Sequence, residues 1–203
     1  MEKAILYVHG KGGNAGEAEQ YKKHWPGCAI VGVDYDVYLP WVADKTIRAA
    51  YDELRERCGQ IYLIANSIGA YFSMLALEKC RLEQALFISP IVDMEGLIQR
   101  MMGWAKVTED ELRRRGEIAT DFGETLSWEY LTYVREHPLD WQTPTEILYA
   151  GQDHLTPRET VSNFAAQHQA GLTVMEEGEH WFHTEEQLAF LDEWMSVVIK
   201  QPI

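Results

Sequence analysis

The chain has 203 residues, 46% of them hydrophobic and 25% charged, which is ordinary for one soluble globular domain and far from a disordered segment. At this length roughly 70% of the unfolded surface can be buried, so no disulfide or metal is needed to hold the fold. Eighteen Lys and Arg stand against 32 Asp and Glu, a net charge of −14 that argues against binding nucleic acid or an anionic membrane surface. The three cysteines, Cys28, Cys58 and Cys80, are widely spaced and form no CxxC motif, so a reducing compartment fits best. The N-terminus runs directly into an apolar run with no basic, apolar and cleavage regions ahead of it. No apolar run approaches a membrane span. A cytoplasmic protein without a signal peptide is therefore expected.

In chain order, the first predicted strand is Ala4–Val8, followed by the glycine-rich loop Gly10-Lys11-Gly12-Gly13-Asn14-Ala15. A second strand covers Ala29–Val33. Pro40 then precedes Ala43, Ile47, Ala50, Leu54 and Cys58, whose steps of three and four predict a helix. The strand Ile61–Ala65 leads through a tight turn to a helical run, Tyr71–Leu77, and the strand Ala85–Ile88 follows. Asp93–Thr143 shows no clear strand, only two or three helical pieces, one starting at Thr108-Glu-Asp-Glu111. That is longer than a connection requires and reads as a cap-like insertion. The strand Glu146–Ala150, a helix after Thr156-Pro-Arg-Glu159, the strand Leu172–Met175 and a helix after Thr184-Glu-Glu-Gln187 complete the chain. All three Thr-led sequences fit the capping box, in which a hydroxyl and a carboxylate or amide satisfy orphan N–H groups. Near-continuous apolar strands alternating with helices predict an α/β domain. Its mostly parallel sheet of about six strands is covered by helices on both faces and carries a small helical insertion. In such sheets the functional site lies at the C-terminal ends of the strands.

Three of those ends carry chemistry. Ala65-Asn66-Ser67-Ile68-Gly69 joins a strand to a helix and resembles Gly-x-Ser-x-Gly, with Ala65 replacing the first glycine. Small residues are needed there because strand and helix nearly touch, and the turn pushes the serine hydroxyl outward. The bland reading is an N-cap serine. A serine hydroxyl is a weak nucleophile that needs a neighbouring base, held in turn by a carboxylate. Asp153 follows the fifth strand and His180 the sixth. Alone, Asp153 could be a turn residue and His180 a loop histidine. The order Ser, Asp, His, each beyond its own strand, is harder to obtain by accident. His183 competes as the base and Asp93, after the fourth strand, as the acid.

Val8-His9-Gly10, Ala65–Gly69, Gly151-Gln152-Asp153-His154-Leu155-Thr156 and Gly178-Glu179-His180-Trp181-Phe182 together resemble the α/β-hydrolase superfamily, in particular its small bacterial serine-nucleophile members. The resemblance runs from Ile5 to the last helix, without the two N-terminal antiparallel strands of larger members. It implies Ser67 as nucleophile, Asp153 as acid and His180 as base. It also implies an oxyanion hole from the backbone N–H of Ile68 and one near Lys11, and no cofactor. The activity it implies is a serine hydrolase, foremost a carboxylesterase, acting on a small-molecule acyl substrate. In the insertion, Met101, Trp104 and Trp128 either pack internally or line an acyl pocket under a lid.

Two other function classes compete. Gly10-x-Gly12-x-x-Ala15, with Asp34 beyond the next strand, formally fits a dinucleotide-binding fingerprint and would make the chain an oxidoreductase. The fold could also serve binding without catalysis. The Glu-His-x-x-His spacing around His180 and His183 is not a zinc-protease motif, and no catalytic metal is expected.

Overall fold

A computed structural model of the chain describes residues 2–199. The elements run β1 (Lys3–Val8), a 3₁₀ segment (Ala15–His24), β2 (Ala29–Gly32), α1 (Pro40–Arg57), β3 (Gln60–Asn66), α2 (Ile68–Leu77) and β4 (Ala85–Ile88). Next come α3 (Met94–Ala105), α4 (Glu109–Arg115), β5 (Glu117–Ala119), β6 (Thr125–Ser127) and α5 (Trp128–Glu136). The chain ends with β7 (Thr145–Ala150), α6 (Arg158–His168), β8 (Gly171–Met175) and α7 (Glu185–Val198). All six apolar runs predicted as strands are strands.

These six form one parallel sheet in the order β2-β1-β3-β4-β7-β8. β1 and β3 are buried along nearly their whole length, because helices cover both faces. On one face Ile5, Tyr7, Tyr62, Ile64, Leu86 and Leu148 pack with Tyr21 and Trp25 and with Leu191, Trp194 and Met195 of α7. By strand alternation Leu6, Val8, Leu63 and Ala65 face the other side, where α1 and α2 lie. The strand order reverses between β1 and β3, since the chain leaves β1 toward β2 and returns to place β3 on the other flank. The loops after β1 and β3 therefore part above the sheet and leave a crevice at its C-terminal edge.

Of the described residues, 2–92 and 140–199 form this body, and Asp93–Leu139 forms a separate compact unit. Within that unit Arg135 of α5 bridges Glu95 of α3 and Glu109 of α4, each at 2.7 Å. The unit also contains an antiparallel hairpin, β5 with β6, where the sequence indicates helices alone. Each strand is three residues long and buries a single side chain, Ile118 or Leu126, too short for a periodicity to register. Trp141, beyond this unit, is buried in the body against Phe87, and its indole N–H donates to Thr145 Oγ1 at 2.8 Å.

Two of the three capping boxes start helices as expected: Thr108 accepts from the Glu111 N–H and Thr184 from the Gln187 N–H. The third does not. Thr156 is buried, its hydroxyl donates to the Pro90 carbonyl at 3.4 Å, and α6 begins after Pro157 with no side-chain cap. Among the described residues no helix is long and apolar enough to cross a membrane. The three cysteines are free thiols.

Candidate active site

The C-terminal end of β3 leads into α2 within a single residue, Ser67, whose backbone sits at φ 52° and ψ −122°. A non-glycine residue there is strained, and strain of this kind persists only where the surroundings enforce it. They do so here. The Ser67 N–H donates to the Ile88 carbonyl, and its own carbonyl accepts from the N–H groups of Ala70 and Ile91. Gly69 lets α2 approach β1: a Cβ at that position would lie 2.4 Å from the His9 carbonyl oxygen and 2.6 Å from that of Val8. Both obstacles are backbone and cannot step aside. Gly69→Ala is therefore expected to cost at least about 2 kcal/mol, a fall of roughly 4–8 °C in Tm. A calorimetric scan showing wild-type Tm would contradict this packing.

Asp153 follows β7 in a turn closed by its own N–H to the Ala150 carbonyl. Its Oδ1 accepts from the N–H groups of Leu155 and Thr156, at 2.7 and 3.3 Å. Its Oδ2 lies 2.7 Å from His180 Nδ1, and the side chain has no solvent exposure. His180 stands on the loop after β8. That loop is tied to the β7 loop by hydrogen bonds from Gly151 N–H to Met175 and from Gln152 N–H to Gly178. His180 Nε2 lies 2.7 Å from Ser67 Oγ. The carboxylate can only accept, so the proton sits on Nδ1 and Nε2 is left to accept from the serine. Ser67, His180 and Asp153 thus form one hydrogen-bonded chain across three strand ends. The two competitors are engaged elsewhere. His183 Nδ1 faces the Trp181 carbonyl at 2.7 Å, and Asp93 caps α3 by accepting from the Gly96 N–H.

Ile68 opens α2, and a first-turn N–H has no acceptor within its own helix. Lys11 lies in the loop after β1, where Gly13 N–H donates to the Gly10 carbonyl and Gly12 N–H to the Tyr38 hydroxyl. The Lys11 ammonium sits 6.0 Å from the centre of the Tyr38 ring. His9 anchors this loop from below: it is buried, stacks on Tyr35, and its carbonyl accepts from the Tyr35 hydroxyl. After the loop the chain enters a 3₁₀ segment capped by Asn14, where a dinucleotide fingerprint would open an α-helix. Met101 and Trp104 lie on α3 and Trp128 opens α5, all in the unit Asp93–Leu139, where the half-exposed Trp104 meets Phe122 edge to face.

A cavity of about 300 Å³ opens beside Ser67 and His180, and the body alone lines it. One wall is polar and was not read from the sequence. Glu17 Oε2 accepts from the Tyr7 hydroxyl at 2.6 Å, and Asn66 Nδ2 donates to the same hydroxyl at 3.1 Å. Burial foremost, then the neighbouring Tyr21 and Glu17, hold the Tyr7 phenol far above its ordinary range, so it stays a donor. The available signals were Asn14-x-x-Glu17, itself a capping box, and the position of Asn66 next to Ser67.

No family model matches the sequence, and no curated protein matches it. Solved structures do match. Est1E from Butyrivibrio proteoclasticus superposes with a TM-score of 0.77 at 17% identity, over 96% of this chain and 86% of that one. The chain has the α/β-hydrolase fold. Mouse alpha/beta hydrolase domain-containing protein 10 matches with a TM-score of 0.73 at 16% identity, over 97% of this chain and 89% of that one. Est1E with ferulic acid bound matches at 0.72 and 17% identity, over 97% and 87%. This is the fold that the sequence resemblance implies, and the parallel six-stranded sheet is as expected from the sequence.

Proposed function

We propose that the chain is a serine hydrolase that works through an acyl-enzyme, a carboxylesterase on a small ester. The observation that carries this is the unbroken chain of two 2.7 Å contacts, Ser67 to His180 to Asp153, ending on a serine held at positive φ. A helix N-cap explains neither the strain nor the contact with His180, since Ser67 makes no side-chain cap bond to α2.

In the proposed mechanism His180 Nε2 takes the Ser67 proton as Oγ attacks the ester carbonyl carbon. Asp153 keeps the imidazole oriented and stabilises its positive charge. The N–H of Ile68, aided by the N-terminal end of α2, and one near Lys11 receive the carbonyl oxygen as it gains charge. The tetrahedral species collapses, the bond to the leaving oxygen breaks, and His180 returns the proton to it. Water, deprotonated by the same histidine, then cleaves the acyl–Ser67 bond. Est1E with ferulic acid bound, and the structural neighbour described among lipolytic enzymes of the lipase and esterase families, support a small-molecule ester as the substrate.

The test is rapid mixing of the folded protein with nitrophenyl esters of graded acyl length. At least one ester is expected to release a burst of nitrophenol approaching one equivalent per chain before steady turnover. Folded protein that turns over no ester of the series would overturn the reading.

A further inference from the structure

The cavity beside Ser67 has two unlike walls. Ile88, Phe182, Leu188 and Leu191 make one apolar. The other carries Glu17, Gln20 and Asn66, and among the described residues no lysine or arginine lines the cavity. Glu17 is fixed by neutral donors only, the Tyr7 hydroxyl and the Asn14 N–H. Among the described residues no cation pairs with it. A carboxylate offers about four acceptor positions, so it retains acceptor capacity after those two bonds. Asn66 stands beside it and donates from Nδ2 to the same Tyr7 hydroxyl, while its Oδ1 is buried, so Glu17 is the charged acceptor of this wall. Tyr21 and the largely exposed Trp181 contribute aromatic rings to the same space, and aromatic faces attract cations.

We infer that this cavity is a specificity subsite for a substrate group that is apolar along its length and carries a protonated amine, with Glu17 as the residue that selects it. The inference rests on the serine-hydrolase reading for the bond that is cleaved. A free carboxylate in the same place would meet Glu17 as a like charge with no counterion. A neutral chain would leave the charge of Glu17 unmatched. An ammonium on an alkyl chain fits both walls, and the volume, at the low end for ligand pockets, suits a chain of a few carbons.

The test uses binding, which does not depend on the triad. Hexylamine, hexanol and hexanoate are titrated calorimetrically into the intact protein near neutral pH. Hexylamine is expected to bind at least about 10-fold more tightly than hexanoate, with hexanol between them. Glu17→Gln removes the charge but keeps one oxygen for the Asn14 N–H, so the cap survives, while its NH₂ faces the Tyr7 hydroxyl, which can accept it; the variant should close most of that gap. Glu19→Gln removes the same charge from an exposed neighbour whose side chain is 67% accessible, and should leave the gap open. Equal affinities in the wild type overturn the inference, as does a gap that survives Glu17→Gln or closes equally in Glu19→Gln, which would be the field of the whole acidic chain. Labelling of Ser67 by a fluorophosphonate separates the two readings. An adduct without amine preference sinks the subsite alone, and amine preference without an adduct sinks the hydrolase reading alone.

Discussion

Ser67→Ala is expected to lower ester turnover by at least about 10⁴-fold and to leave the protein folded. The substitution removes one oxygen, whose hydrogen-bond partner is His180 Nε2. The turn does not depend on that oxygen. It is held by backbone bonds from Ser67 to Ile88, Ala70 and Ile91, all of which alanine can make. Stability should therefore move by no more than about 1 kcal/mol. What disappears is the atom that bonds to the acyl carbon, and the remaining rate comes from binding and oxyanion donors alone. Turnover of variant and wild type is compared under saturating ester, with a thermal scan alongside. Turnover within tenfold of wild type would contradict the assignment.

Asp153→Asn should cost nearly as much, about 10⁴-fold in kcat, with little change in KM. The reason lies in the direction of the hydrogen bonds. Oδ1 accepts from two backbone N–H groups and Oδ2 faces His180 Nδ1. An amide must place its NH₂ on one side or the other. If it faces His180, Nδ1 becomes the acceptor, the ring proton moves to Nε2, and the histidine can no longer take the serine proton. If it faces Leu155 and Thr156, donor meets donor in a site with no access to water. Asp153 is a positioning residue in this scheme, and a split between kcat and KM distinguishes that role from damage to the pocket. A variant with near-normal kcat would show that the histidine orients itself without the carboxylate.

The strands were legible because burial on both faces leaves a chemical signature, a short unbroken apolar run, and each of the six runs begins and ends within one residue of its strand. Strand ends are legible for the same reason, and Ser67, Asp153 and His180 each follow one of them. The 3₁₀ segment Ala15–His24 left no comparable trace. It buries only Ala18 and Tyr21, and apart from Ala15 and Gly16 the rest is polar. Thr156 shows how a local pattern yields to a distant one. Asp153 takes its N–H, and its hydroxyl turns to Pro90, 66 positions away in sequence. The polar wall of the cavity was hidden likewise, because Tyr7, Glu17 and Asn66 meet only once β1, the 3₁₀ segment and β3 are assembled.

The most direct test of the central claim is the intact mass of the protein after exposure to a fluorophosphonate, with Ser67→Ala treated in parallel. An activated serine attacks phosphorus and expels fluoride, so the wild type should gain one phosphonyl group and the variant none. A folded wild type that stays unmodified, or a variant that is modified to the same extent, would contradict Ser67 as the nucleophile.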